Sequence, residues 1–473
     1  MIKKLLKNDV VKQFRDFGIG PIIGMFISML TVPVTTRLVL PEEFGKSSLF
    51  TLVQTIFLIA ALFGLDQAFI RYYNSKDFSK EAVLYNSFTL PLLLTIILGL
   101  VSFVFMKPIS IWLYGSYEKE LMLLFPPFLL ALLFNRYAYL ILRMELRGKL
   151  YSLLNIISQL ISFLFLLTLL LFYERTFRSI VIASIFSMII NTCVALIITR
   201  KSWVFKKNYF NKELTKKMLF FALPLVPATL ISWILNSFDK VALKEWSTYE
   251  ELGLYAAAFK IVALLAVFQT IFSTSWIPLL FKWYEEDIND NNFKRVNTLT
   301  ISFAIILAFV IIIFRNPVFL ILGPKYRNTA GVFVYLLIVP VLNIISVTCT
   351  NGMDLNNKTY LSLISTSIGA ISNIFLNYLF IPYLGAKGAA IATSISFFAY
   401  FTIQYFMSRK LWIKFDLKHL IINLLFLTTL MLAIEFEFSI IIELILFGLM
   451  VLYNFKVCKC NILYNNTKIK SLN

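Results

Sequence analysis

Runs of about twenty consecutive apolar residues recur from one end of the chain to the other, and nothing else in it limits the fold as tightly. A continuous run of that length crosses the roughly 30 Å hydrocarbon core of a bilayer as an α-helix, with every backbone hydrogen bond made inside the segment. A membrane barrel would instead need alternating segments of about ten residues. The runs fall at 17–37, 46–70, 84–106, 120–142, 150–172, 179–199, 218–238, 252–281, 296–314, 329–350, 359–381, 386–407, 419–434 and 438–455. The expected class is therefore an all-α polytopic membrane protein with about 14 transmembrane helices.

The formal net charge of +19 would suit a nucleic-acid binder, but its distribution points elsewhere. With the N-terminus placed in the cytoplasm and residues at the span edges counted with the adjoining segment, the cytoplasmic segments hold 30 Lys and Arg residues, the outer segments 12, and two, Arg136 and Lys260, lie well inside spans. That asymmetry is the positive-inside pattern, so the basic charge sets topology and faces anionic headgroups. Both termini are expected in the cytoplasm, with membrane lipids as partners and no nucleic acid.

The chemistry available is narrow. The start MIKKLLKNDVVKQFRDF is basic and amphipathic, and no small-residue cleavage site follows it. His419 is the only histidine, which removes His-based metal sites and catalytic triads. The four cysteines, Cys193, Cys349, Cys458 and Cys460, read as free thiols, and no Walker-type phosphate loop is present. No cofactor, no metal and no enzymatic activity are expected. A membrane polysaccharide polymerase or ligase would carry a long outer loop bearing catalytic charges, and all outer loops here are short.

The chain also repeats itself. EEFG at 42–45 returns as EELG at 250–253, KPISIWLYGSY at 107–117 parallels NPVFLILGPKY at 316–326, and MELRGKLY at 144–151 returns as MDLNNKTY at 353–360. Three matches in order at an offset of 208–209 mark a duplicated unit of six spans. The expected organisation is a six-helix lobe at 1–199, a basic cytoplasmic linker at 200–217, a second six-helix lobe at 218–410, and two extra helices with a cytoplasmic tail at 411–473. Two such pseudo-symmetric lobes are a known transporter plan. Prolines 21, 33, 91, 224, 227, 278 and 340 lie within spans and are expected to bend them.

TVPVTTRLVLPEEFG (31–45), LPLVPATLISWILNSFDKVALKEWSTYEELGLYAAAFKIV (223–262), STSWIPLLFKWYEE (273–286) and NYLFIPYLGAKGAAIATSIS (377–396), with the duplication, resemble Wzx-type polysaccharide flippases. These belong to the multidrug/oligosaccharidyl-lipid/polysaccharide exporter superfamily, and the resemblance covers about residues 10–410. It implies alternating access and transfer of undecaprenyl-pyrophosphate-linked oligosaccharides to the outer leaflet, for a surface polysaccharide such as O-antigen, lipopolysaccharide or capsule. The partners it implies are the lipid-linked oligosaccharide and the polymerase and chain-length machinery. Lipid II-type or teichoic-acid precursor flippases and multidrug/cation antiporters share the fold and stay open as alternatives. The first span lacks the acidic residue that multidrug exporters place there.

Charges inside the spans carry the site expectation, because a charge at mid-bilayer costs at least about 2.5–3.5 kcal/mol. Arg136 lies two thirds of the way along span four, with Tyr139 and Arg143 on the same helical stripe. Lys260 is the only charge between Leu252 and Phe281, about 12 Å from the outer end of its span at 1.5 Å per residue. Arg37 ends span one on the outer side. Together Arg136, Lys260, Arg143, Tyr139 and Arg37 form the expected binding set for an anionic headgroup. Asp66 is the ion-coupling candidate, or else an ion-pair partner with Arg71 at i+5 nearby. Arg147 reads as an ordinary anchor, and Glu145 and Asp354 as members of solvated loops.

Overall fold

The computed structural model describes residues 2–470 apart from Leu264 and Asn357, and side chains from Asp16 to Lys459 apart from a few scattered positions. Cys460 lies outside the described side chains; Cys193, Cys349 and Cys458 are free thiols. All regular structure among the described residues is helical. The first ten helices are α1 (Ile2–Leu38), α2 (Pro41–Leu62), α3 (Leu65–Tyr72), α4 (Lys80–Val104), α5 (Met106–Tyr114), α6 (Lys119–Met144), α7 (Gly148–Phe172), α8 (Phe177–Thr199), α9 (Lys212–Ala222) and α10 (Leu225–Trp246). The second ten are α11 (Tyr249–Ala263), α12 (Ala266–Glu285), α13 (Asp290–Ile313), α14 (Arg315–Ile321), α15 (Thr329–Leu336), α16 (Ile338–Cys349), α17 (Gly352–Leu355), α18 (Tyr360–Leu411), α19 (Leu417–Glu435) and α20 (Ile440–Lys470).

Among the described residues, thirteen helical segments are long and apolar enough to cross a membrane. One of them, α18, has 52 residues. At about 1.5 Å per residue it is more than twice the thickness of a hydrocarbon core, so it must cross twice. The reversal is at Gly385, whose φ of 54° and ψ of −131° only glycine adopts readily. Counting α18 as two crossings gives fourteen.

The same order of elements occurs twice. In the first half a long helix (α4), a short one (α5) and another long one (α6) follow each other; in the second half α13, α14 and the pair α15–α16 do so about 209 residues later. Packing matches: α4 lies on α6 and α6 on α8, while α13 lies on α16 and α16 on α18. Helices α19 and α20 are additional and pack against α13.

Several spans that read as single runs are broken. The run 46–70 divides into α2 and α3 at Phe63 (φ 49°) and Gly64 (φ 74°), with no proline involved. The run 218–238 lies across α9 and α10, which separate at Leu223–Pro224, and α15 and α16 separate at Leu337. Pro21, Pro33, Pro91 and Pro278 sit inside helices that continue through them, as do Pro126 and Pro127 in α6.

The chain forms two compact units, Met1–Val241 and Ala242–Asn473. This division falls inside α10 and not at the expected linker 200–217. The reason is local. Trp203 and Phe205 pack their rings against Phe88, at 5.3 and 5.6 Å. Asn86 on α4 uses its whole amide on the segment and its own helix. Its Nδ2 donates to the carbonyls of Tyr209 (2.8 Å) and Ala82 (2.7 Å), and its Oδ1 accepts from the Asn211 N–H (2.9 Å) and the Thr215 hydroxyl (2.8 Å). Leu214, Met218 and Ala222 of α9 are then buried with Leu65, Ala68 and Phe69 of α3. The basic segment 200–217 is thus docked on the first unit.

Candidate functional site: a charge pair inside the first unit

The break between α2 and α3 builds the site. Gly64 is required there twice over: its φ is positive, and a Cβ would stand 2.9 Å from the carbonyl oxygen of Ala222. Restarting the helix at Leu65 puts Asp66 in its first turn, where unpaired N–H groups and the helix dipole favour an anion. Asp66 is buried, and Gln67 Nε2 donates to its Oδ2 (3.2 Å).

Arg136 on α6 meets it there. Its Nη2 and Nε donate to the same Oδ2, at 2.6 and 3.2 Å. The next residue fixes the register: Tyr137 is fully buried, its hydroxyl donates to the Ser87 carbonyl (2.7 Å), and its ring lies edge-on to Phe88 and Phe69. Arg136 is eight residues from the end of α6, about 12 Å at 1.5 Å per residue. Its side chain keeps 42% of its accessible surface while that of Asp66 keeps 8%. The guanidinium thus neutralises a buried carboxylate with one edge and leaves donors free on the other. That arrangement can accept a phosphate oxygen in competition with the carboxylate.

Asp66 reads in the sequence as a coupling residue or as the ion-pair partner of a cation, with Arg71 at i+5. The structure gives it Arg136 instead, and the Arg71 guanidinium lies over the ring of Phe221, 4.6 Å from its centroid. Five residues along a helix is more than a full turn, so the two side chains point apart. Of the expected binding set, the structure brings only Arg136 to Asp66. Tyr139, half-buried, accepts a hydrogen bond from Asn191 Nδ2 (3.2 Å) and packs edge-on to Tyr151, tying α6 to α7 and α8. Arg143 is exposed in the last turn of α6. Arg37 is exposed in the last turn of α1. Lys260 belongs to the second unit, where α11 is buried from Leu252 to Ala258 and emerges at Lys260, which is exposed.

Sequence reasoning missed three ion pairs or caps of structural weight. Glu443, the single charge of its span, is 1% exposed and bound bidentately by Arg315 (2.6 and 2.7 Å), which ties α20 to α14. A lone acid in an apolar run was the available signal. Glu43 Oε2 accepts from the N–H of Phe177 (2.9 Å), and Glu251 Oε2 from that of Ala386 (2.7 Å). Each caps the helix that closes its lobe, and the repeated EEFG/EELG motif was the signal. Glu145, read as part of a solvated loop, is held by Arg147 (3.1 Å) and by the Ser202 hydroxyl (2.9 Å).

Comparison with known proteins agrees with this architecture. The family described as polysaccharide biosynthesis protein matches residues 17–283. A probable low-salt glycan biosynthesis flippase of Haloferax volcanii is 22% identical over 190 residues, 39% of either chain. Matches to the curated relatives span under two fifths of their length. Among solved structures, a lipid II flippase in an inward closed conformation aligns with TM-score 0.74 at 18% identity, over 94% of this chain and 99% of its own. An inward-facing multidrug resistance transporter of the multidrug/oligosaccharidyl-lipid/polysaccharide superfamily aligns with TM-score 0.62 at 18% identity, over 82% and 94%. These likenesses identify the fold.

Proposed function

The chain belongs to the polysaccharide biosynthesis protein family, and from that membership we propose that it is a flippase for lipid-linked oligosaccharides. In this reading it moves undecaprenyl-pyrophosphate-linked repeat units from the cytoplasmic to the outer leaflet of a bacterial cytoplasmic membrane by alternating access, for synthesis of a surface polysaccharide. The lobes at 1–199 and 218–410 provide the two moving halves, and a polymerase and chain-length machinery act on the product.

The observation that carries the proposal is the Asp66–Arg136 pair beside a cluster of buried apolar side chains. A pyrophosphate must leave water to cross a membrane, and a preformed guanidinium with free donors offsets that desolvation. Phosphate binding draws Arg136 away from Asp66, whose buried carboxylate is costly without its cation and so links the pair to substrate occupancy. Asp66 thereby becomes the coupling residue. Arg143, Tyr139 and Arg37 in the first lobe and Lys260 in the second are assigned to later contacts along the route. The test is the leaflet distribution of the lipid-linked oligosaccharide in a deletion strain, read with a membrane-impermeant glycan-oxidising probe. The intermediate should accumulate on the cytoplasmic side and return outward on complementation. An unchanged distribution would refute the assignment.

A further inference from the structure

Outside the charge pair, the first unit contains a second cationic feature that neither the flippase reading nor the family assigns. A half-open cavity of about 590 Å³ lies where the α6–α7 turn meets the end of α8. Arg147, Arg200 and Lys201 supply three positive charges around it, and Glu145 one negative. Ile197 and Ile198 of the last α8 turn form its apolar wall, and Ile197 keeps 67% of its surface accessible. We propose that this cavity binds the phosphate headgroup of an anionic phospholipid in the cytoplasmic leaflet.

The cavity is built rather than incidental. Two loops come together through Glu145, whose carboxylate accepts from Arg147 (3.1 Å) on one side and from the Ser202 hydroxyl (2.9 Å) on the other. The first loop is a tight reversal: Leu146 has φ 56°, and the Arg147 N–H reaches back to the Leu142 carbonyl (2.9 Å). The second is held by Trp203, whose Nε1 donates to Thr199 Oγ1 (2.8 Å) while its ring packs on Phe88 and Phe134. Beneath both lies a buried cluster of Ala138, Leu142, Leu154 and Ala195. The cationic groups therefore surround a fixed concavity before any ligand arrives.

Charge and position select the ligand. A local charge of +2 requires an anion, and planar guanidinium groups favour phosphate oxygens. Free phosphate would satisfy that chemistry equally well. The lipid is chosen because the cavity also has an aliphatic wall that is accessible and part of a membrane-crossing helix at its positive-inside end. A headgroup seated there places its acyl chains along α8. This site is separate from Asp66–Arg136, so its failure would leave the flippase reading untouched.

The probe is short-chain phosphatidylglycerol added to the purified full-length protein, with bound lipid counted by native mass spectrometry. Phosphatidylcholine and inorganic phosphate serve as parallel arms. One saturable phosphatidylglycerol is expected. Arg200→Ala/Lys201→Ala should weaken it by about 30-fold, each basic residue near an anionic headgroup contributing several-fold. Lys212→Ala/Lys216→Ala removes the same charge from exposed positions on α9 and should leave that affinity within about twofold. In the unmodified protein, phosphatidylglycerol should also protect Lys201, and not Lys212, from an amine-reactive label, a readout independent of how the variants fold. Equal losses from both double variants, or equal protection of both lysines, would reduce the site to diffuse surface charge. Inorganic phosphate displacing the lipid at equal concentration would overturn the choice of a lipid.

Discussion

The two lobes share a frame and differ in where charge is placed. Glu43 caps the helix beginning at Phe177, 134 residues on, and Glu251 caps the one beginning at Ala386, 135 residues on. The two acids are 208 residues apart and do the same work, which is what duplication of a structural hydrogen bond looks like. The charge pair is not duplicated. At the offset of 208–209, Asp66 corresponds to Thr274 and Arg136 to Ile345, a fully buried apolar residue. Lys260 in turn corresponds to Leu52, which is buried in the first lobe. Packing and capping keep the repeat because both lobes must fold by the same rules. Intramembrane charge departs from it, and a charge inside a span is costly enough to need a partner or a use.

The largest effect should come from breaking the pair. Arg136→Gln leaves Asp66 buried without its cation, and Asp66→Asn removes the anion; each should lower flipping by at least about 100-fold. The loss of stability is expected to be about 1–3 kcal/mol, since the guanidinium is half accessible and only the carboxylate is stranded. Thr274→Ala and Ile345→Val, at the matched positions of the second lobe, should keep transport, with about 0.5–1.5 kcal/mol lost at Ile345 in thermal denaturation. Transport abolished equally at both sets of positions would erase the asymmetry.

Next in size is Lys260. Lys260→Ala should reduce surface polysaccharide by about tenfold in a complementation assay, while Lys260→Arg keeps a measurable fraction because the charge is retained with different geometry. Full complementation by Lys260→Glu would remove this residue from the mechanism.

Glycine substitutions probe the backbone where each lobe bends. Gly64→Ala introduces a Cβ 2.9 Å from the Ala222 carbonyl at φ 74°, and Gly385→Ala one 2.5 Å from Glu251 Oε2 at φ 54°. Each should cost roughly 1–3 kcal/mol, seen as a lower Tm. Gly64→Ala should also impair transport, since it displaces the turn that presents Asp66.

The smallest and most symmetrical effect belongs to the caps. Glu43→Gln and Glu251→Gln should each cost about 1 kcal/mol, and by similar amounts. A large cost in one lobe with none in the other would show that the shared frame is superficial.

The crossings and the duplication were legible because hydrocarbon imposes length and polarity on every span. Arg136 was legible for the same reason, as a charge in an apolar run. Its partner was not. Helical spacing says which residues of one helix are neighbours, but the meeting of Asp66 with Arg136 depends on how α3 is aimed after Gly64, which is set by contact with Ala222 on a helix more than 150 residues later. The segment 200–217 shows the same limit. Its charges were easy to count, while Trp203, Phe205 and the three hydrogen bonds of Asn86 that fasten it down depend on residues distant in sequence. Glu443 was visible as a lone acid in a span, and its meaning came only with Arg315 beside it.

The most direct test of the central claim is translocation of a lipid-linked oligosaccharide in proteoliposomes, followed by its accessibility to an impermeant glycan-oxidising probe. Arg136→Gln and Thr274→Ala would be reconstituted at equal density beside the unmodified protein. The unmodified protein and Thr274→Ala should translocate at comparable rates while Arg136→Gln, folded and inserted, falls to the rate of protein-free vesicles. Translocation by Arg136→Gln at the unmodified rate would contradict the claim that the first-lobe charge pair carries the substrate anion.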